Sequence, residues 1–241
     1  MHKKTSLSKY FTTVEKLMWS CSAAMIILSY LLFDRSSSMT LAASLIGVTA
    51  LIFTAKGNPI GPALMVVFSI FYGIISYSFA YYGEMITYLG MSLPMSLISL
   101  IEWMRHPFQG SHAQVQVEGI RRREIPLMCL ITVAVTVILG VVLAYFHTAN
   151  LPISIFSVST SFLAVYLCFR RDPHYALAYA VNDVVLIIMW IMASIREIRY
   201  LSVVICFLVF LVHDTYGHWN WMRMRTKQVQ ANAAQKQAEK G

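Results

Sequence analysis

Eight apolar runs, most of them close to twenty residues long, constrain this chain more than any motif in it. A helix needs about 20 apolar residues to cross the hydrocarbon core of a bilayer. The runs fall at 14–33, 39–57, 60–82, 85–104, 125–146, 151–170, 174–194 and 199–222. Each must be helical, because lipid offers no partner to an open backbone N–H or C=O. Charge sorts with these runs although apolarity alone defines them. Taking the loops alternately, 16 of the 19 basic residues fall on the side of the two termini: Lys3, Lys4, Lys9, Lys16, Lys56, Arg105, Arg121, Arg122, Arg123, Arg170, Arg171, Arg223, Arg225, Lys227, Lys236 and Lys240. Only Arg35, Arg196 and Arg199 fall on the other. Lys and Arg are held back on the cytoplasmic side, so the pattern supports eight spans and puts both termini in the cytoplasm.

Only 12% of the 241 residues are charged and 58% are hydrophobic, against roughly a quarter charged in an ordinary soluble domain. The net charge of +8 does not indicate nucleic acid, because the charges occupy loops and tails rather than one face. Cys21, Cys129, Cys168 and Cys206 sit singly in separate spans, so neither a disulfide framework nor a zinc site is expected. The first run is long and lacks an obvious small-residue cleavage site, which makes it a span rather than a cleavable signal.

Most connections are very short. Asn58-Pro59 and Asp172-Pro173 each open a new helix, since the residue before proline is pushed out of the helical region. The one long loop, 105–124, is polar, ends in Arg121-Arg122-Arg123 and splits the chain near its middle. The tail from Thr226 is rich in Gln, Ala and Lys and reads as a solvated or frayed helix. Two anchors recur across the split. Trp103-Met104-Arg105 matches Trp221-Met222-Arg223 at 118 residues' distance, and Lys56-Gly57-Asn58-Pro59 matches Arg170-Arg171-Asp172-Pro173 at about 114. Four spans per half give both halves the same polarity, the arrangement of a parallel repeat with a substrate site between the halves. The competing explanation is that Trp and Arg at helix ends are ordinary interfacial anchors.

An ionisable group at the bilayer centre costs about 2.5–3.5 kcal/mol on insertion scales, so the polar residues inside the spans carry the functional argument. Asn182 and Asp183 lie near the middle of the seventh span and Asp214 in the second half of the eighth, with His213 and His218 nearby. On the helical period, Tyr175, Tyr179 and Asn182 share one face, Asp183 and Trp190 a neighbouring one. Ser92, Ser96, Ser99 and Trp103 line up in the fourth span, and Ser69, Tyr72 and Ser76 in the third. At the repeat offset, Ser96 and Asp214 are equivalent. Aromatic rings beside amide and carboxylate suit a neutral or weakly charged ligand with a ring and hydroxyls. The lack of a buried Lys or Arg in the spans argues against a phosphorylated one. Interhelical hydrogen bonding is the plainer alternative for each single Ser or Tyr. His213 and His218 lack metal-ligand spacing, and no metal or cofactor is expected.

Four stretches resemble the PnuC family of bacterial vitamin and nucleoside transporters, over roughly residues 40–225. They are Ala55-Lys56-Gly57, Leu93-Pro94-Met95 with Trp103, Val181-Asn182-Asp183 with Trp190, and Asp214-Thr215-Tyr216-Gly217 with Asn220-Trp221. The resemblance implies an all-α polytopic membrane protein of the bacterial cytoplasmic (inner) membrane, with a SWEET-like 3+1+3 parallel repeat and one extra N-terminal helix. On that plan residues 1–38 are a tail and the additional helix, 39–104 the first three-helix bundle, 105–150 the cytoplasmic loop and connector helix, 151–222 the second bundle, and 223–241 a cytoplasmic tail. It further implies a homotrimer and a facilitator (uniporter), not a pump, whose substrate a cytoplasmic kinase traps. Members that take nicotinamide riboside usually carry Trp ahead of the seventh-span Asn, where this chain has Tyr175, Ala178 and Tyr179. They often carry Gln after the Pro-Met pair, where this chain has Ser96. Nicotinamide riboside is the first expectation for the substrate; thiamine, riboflavin and deoxynucleosides are alternatives.

The expected site is built from Asn182, Asp214, Tyr175, Tyr179, Trp190, Tyr72, Ser96 and Asp183. Tyr175, Tyr179 and Trp190 would frame the ring, Asn182 and Asp214 hold hydroxyls, and Tyr72 and Ser96 line the opposite bundle. Two other classes remain open. Proton-coupled transport would use Asp183 or Asp214 as the carrier. A membrane enzyme would use His213, Asp214 and Glu102 as acid–base groups, but the sequence shows no nucleophile or metal for them to serve.

Overall fold

A computed structural model describes residues 10–35, 38–78, 82–148 and 150–238. Lys3, Lys4, Lys9 and Lys240, the outer parts of both tails, and residues 79–81 near the expected end of the third span lie outside the described residues. The helices are α1 Thr13–Phe33, α2 Ser38–Ala55, α3 Ile60–Ser78, α4 Tyr82–Thr87, α5 Leu93–Arg105, α6 Ile125–Tyr145, α7 Leu151–Phe169, α8 Tyr175–Ser194 and α9 Leu201–Ala238. A π-helical turn, Tyr88–Ser92, joins α4 to α5. Counting that joined pair as one, eight helical spans among the described residues are long and apolar enough to cross a membrane.

The fourth span begins at Tyr82 rather than at 85, which brings Glu84 inside it. Its π turn follows from Pro94. Proline has no N–H, and its ring crowds the carbonyl four residues back. The wider turn relieves this, and the Leu93 N–H reaches Tyr88 O, five residues back. The long loop also departs from expectation: Pro107–Phe108 and Ser111–Val115 pair as a short antiparallel hairpin. The last helix does continue through the tail, to Ala238. At 1.5 Å per residue its 38 residues span about 57 Å, well beyond a bilayer core.

Two packing groups run in parallel series: α2 on α3 and α3 on α5; α7 on α8 and α8 on α9. They meet where α9 lies against α2 and where α5 lies against α7. Helix α6 packs on α7, and α1 packs on α2 and α9. At Gly47 a Cβ would come within 2.5 Å of the Phe210 ring and 3.0 Å of Phe68. Only a residue without a side chain lets α2 seat between α3 and α9 there.

One end of the bundle is closed by mutual hydrogen bonds. The α2–α3 and α7–α8 turns share one pattern, the helix C-cap in which a left-handed residue lets two N–H groups reach back. Gly57 (φ 68°) and Arg171 (φ 56°) hold that position. Asn58 N–H donates to Phe53 O and Gly57 N–H to Thr54 O; Asp172 N–H donates to Leu167 O and Arg171 N–H to Cys168 O. Asn58 and Asp172 side chains then accept from the N–H two residues on, Ile60 and His174.

Trp103 and Trp221, both fully buried and 5.3 Å apart, lie between these turns. Each crosses to the other packing group: Trp103 Nε1 donates to Cys168 O at 3.0 Å, and Trp221 Nε1 to Thr54 O at 2.8 Å. The segment after the hairpin straps over this end. Val115 N–H donates to Gly57 O, Glu118 N–H to Arg171 O, and Ile120 N–H to Asp172 Oδ2. Gln228, on the extended part of α9, clamps the strap by accepting from Val117 N–H and donating to Val115 O. Arg171, 2% exposed, ion-pairs with Glu118 and Glu102. Burial draws its guanidinium down from the usual arginine range, and the two carboxylates oppose that shift. At this end Lys56 also pairs with Glu15 of α1 at 3.1 Å.

Candidate functional site

A narrow cavity of about 60 Å3 lies between the two packing groups, lined mostly by residues well inside their spans, with Glu84 and Thr87 in the first turns of the fourth. Its wall explains which polar residues the apolar runs tolerate. Helix α8 contributes Tyr179, Asn182 and Asp183; α9 contributes Asp214; α7 contributes Ser157 and Ser161. From the first group come Ser69 of α3, Glu84 and Thr87 of α4, Tyr88 and Ser92 of the π turn, and Ser96 of α5. The π turn thus widens the fourth span where it meets the cavity.

Asn182 is 5% exposed, and its amide is fixed in orientation. Thr160 Oγ1 and Ser161 Oγ both donate to Oδ1, at 2.8 and 2.9 Å. Those bonds use the lone pairs of the carbonyl, so the two N–H donors of Nδ2 are what Asn182 can offer a ligand. Asp183 and Asp214, 3% and 4% exposed, line the cavity from neighbouring helices. The second oxygen of Asp183, Oδ2, is buried with no hydrogen-bond donor. Glu84, 8% exposed, lines the same cavity. No Lys, Arg or His is among the described residues that line it.

Five of the eight expected site residues are therefore brought together: Asn182, Asp183, Asp214, Tyr179 and Ser96. Three lie elsewhere. Tyr175 sits toward the closed end, with its ring 4.7 Å from Trp221 and its hydroxyl donating to Thr54 O. Trp190 packs on Tyr200 at 5.5 Å, toward the opposite end. Tyr72 stands behind the wall, its ring 4.5 Å from that of Tyr88. Sequence reasoning missed Glu84, Tyr88 and the hydroxyl pair Thr160 and Ser161. Glu84 would have entered had the fourth span been counted from Tyr82. Nothing in the sequence links Thr160 or Ser161 to Asn182, because the contact crosses two helices. The acid–base trio does not converge: Glu102 is held by Arg171 and His106, and His213 Nε2 bonds Ser22 Oγ of α1 at 3.0 Å. His218 is tied to Pro173 O.

The family model described as nicotinamide mononucleotide transporter matches residues 37–223. A curated relative, the nicotinamide riboside transporter PnuC of Neisseria mucosa, is 23% identical over 197 residues, covering 80% of this chain and 74% of that protein. A solved structure titled as the crystal structure of the vitamin B3 transporter PnuC superposes with a TM-score of 0.78. It covers 93% of this chain and 100% of its own at 19% identity, a likeness of fold. With most of its length inside that match, the chain belongs to the nicotinamide mononucleotide transporter (PnuC) family, and is a multi-pass transporter of the bacterial inner membrane rather than an enzyme.

Proposed function

We propose that the protein is a facilitated-diffusion carrier (uniporter) for nicotinamide riboside. The observation that carries this reading is the cavity: enclosed, between two helix groups, with a pre-oriented amide, several hydroxyls, an aromatic wall and no cation. A phosphate monoester entering such a site would be desolvated without a positive partner, which is costly. The riboside therefore fits better than the mononucleotide of the family's description. The curated relative, a nicotinamide riboside transporter, favours the same choice. Asn182 and Asp214 would hold ribose hydroxyls, Tyr179 and Tyr88 frame the ring, and Ser96 and Asp183 complete the polar wall. Tyr175, Trp190 and Tyr72 would act from behind it.

The cavity is narrow, and on this reading a nucleoside enters it as the helix groups part. In the proposed cycle α2, α3 and α4–α5 form one three-helix bundle and α7, α8 and α9 its parallel repeat, with α6 as connector and α1 added. The matched turns at Gly57 and Arg171, and the crossed Trp103 and Trp221 bonds, favour that repeat. The bundles would rock about the cavity to give alternating access. The basic end would face the cytoplasm, with both termini there. The protein would be a homotrimer with one path per protomer, and a cytoplasmic kinase would trap the product.

The test is counterflow in proteoliposomes. Labelled nicotinamide riboside should exchange into vesicles preloaded with unlabelled riboside without any ion gradient, and a protonophore should not stop it. Competition by thiamine, riboflavin or a deoxynucleoside, with none by nicotinamide riboside, would overturn the substrate. Collapse on adding protonophore would overturn the uniporter.

A further inference from the structure

Three carboxyls from three elements, Glu84 of α4, Asp183 of α8 and Asp214 of α9, face one cavity inside the membrane region. Elsewhere this fold gives buried acids a donor or cation. Glu15 has Lys56 and the Tyr216 hydroxyl, and Asp172 accepts from two backbone N–H groups. In the cavity the arrangement differs. Asp183 and Asp214 line it from neighbouring helices, and Asp183 Oδ2 has no hydrogen-bond donor although it is buried. Any ionised carboxyl among the three puts a negative charge on this wall. Such a charge in low dielectric is expensive unless something positive meets it, and the described cavity wall supplies nothing positive.

The geometry points to a charge match. The Asp183–Asp214 pair, with Glu84 on the same cavity, is the counter-ion for a ligand whose ring bears a positive charge, and it makes the site select that ligand over an uncharged analogue of the same shape. This rests on the reading of the cavity as a nucleoside site. An N-ribosylated pyridinium carries one fixed positive charge on its ring, opposite in sign to an ionised carboxyl of this wall. Ribose hydroxyls would satisfy the hydrogen bonds of the carboxyls but not their charge.

The experiment is calorimetric titration of the purified protein with two probes, nicotinamide riboside and its reduced, uncharged 1,4-dihydropyridine form. Wild type should bind the cationic form about tenfold tighter or more, a modest value for one desolvated ion pair. Asp183→Asn and Asp214→Asn should each narrow the gap to about twofold, weakening the cation more than the reduced form. An unshifted Tm in detergent reports that each variant is folded, and a purely structural role would not separate the two forms by charge. Equal binding of both forms by wild type, or a gap that persists in both variants, overturns the charge match while leaving the nucleoside site. Binding of neither form to folded wild type overturns both.

Discussion

The closed end and the cavity use similar residues to opposite effect. At the closed end, Trp103, Trp221 and Asn220 each donate to a helix-terminal carbonyl, at Cys168, Thr54 and Ala55, and Gln228 satisfies a donor and an acceptor of the strap at once. In the cavity, Asn182 keeps two amide donors to offer, Asp183 has an oxygen without a donor, and three carboxyls share a wall without a cation. Polar groups that pair with one another fix a structure. Polar groups that do not are a cost to the empty protein and are recovered only on binding. On the proposed function, the difference separates residues that seal one end of the bundle from residues that would hold the ligand.

Substitutions should divide along that line. The largest effect on stability belongs to Trp221→Ala, which removes a buried ring between Trp103 and Tyr175 and leaves Thr54 O without its indole donor. Loss of about 3–5 kcal/mol is expected, seen as a large fall in Tm in detergent; a near-normal Tm would break the comparison. Asn182→Ala should do the reverse. Riboside binding should weaken about tenfold or more, with a change in stability near 1 kcal/mol, because Thr160 Oγ1 already bonds its own helix carbonyls at Phe156 and Ser157. Unchanged uptake kinetics would remove Asn182 from the site. Gln228→Ala should cost about 1–2 kcal/mol locally by freeing the strap, and limited proteolysis between residues 106 and 120 should quicken while the spans stay protected. Smallest is Ser161→Ala, which leaves Thr160 to orient the amide. A few-fold rise in Kd with an unchanged Tm would place the hydroxyl pair where the cavity geometry puts it.

Much of the framework was legible from periodicity and charge, because lipid admits one regular solution for each apolar run. Eight spans, the isolated Cys residues and the helical tail all follow from it. The site was less legible. The stretch Asp214-Thr215-Tyr216-Gly217 with Asn220-Trp221 reads in sequence as one motif, yet the structure divides it. Asp214 faces the cavity, Tyr216 bonds Glu15, and Asn220 and Trp221 seal the end of α2. Tyr175 and Tyr179 share a helix face, but one turn of rise carries Tyr175 out of the cavity wall and against Trp221. Helical period assigns a direction around the axis and says nothing of depth along it relative to a neighbouring helix.

The sequence by itself determined eight segments long and apolar enough to cross a membrane, which of the connecting sides is basic, and that Asn182, Asp183 and Asp214 are costly polar groups within such segments. Those are properties of single segments in a uniform solvent. Which carboxyls meet, which amide is clamped by hydroxyls from another helix, and which tryptophan crosses to close the far turn depend on depth, rotation and packing between segments. Only the tertiary structure sets those, because each contact joins residues whose spacing in the chain carries no information about their distance in space.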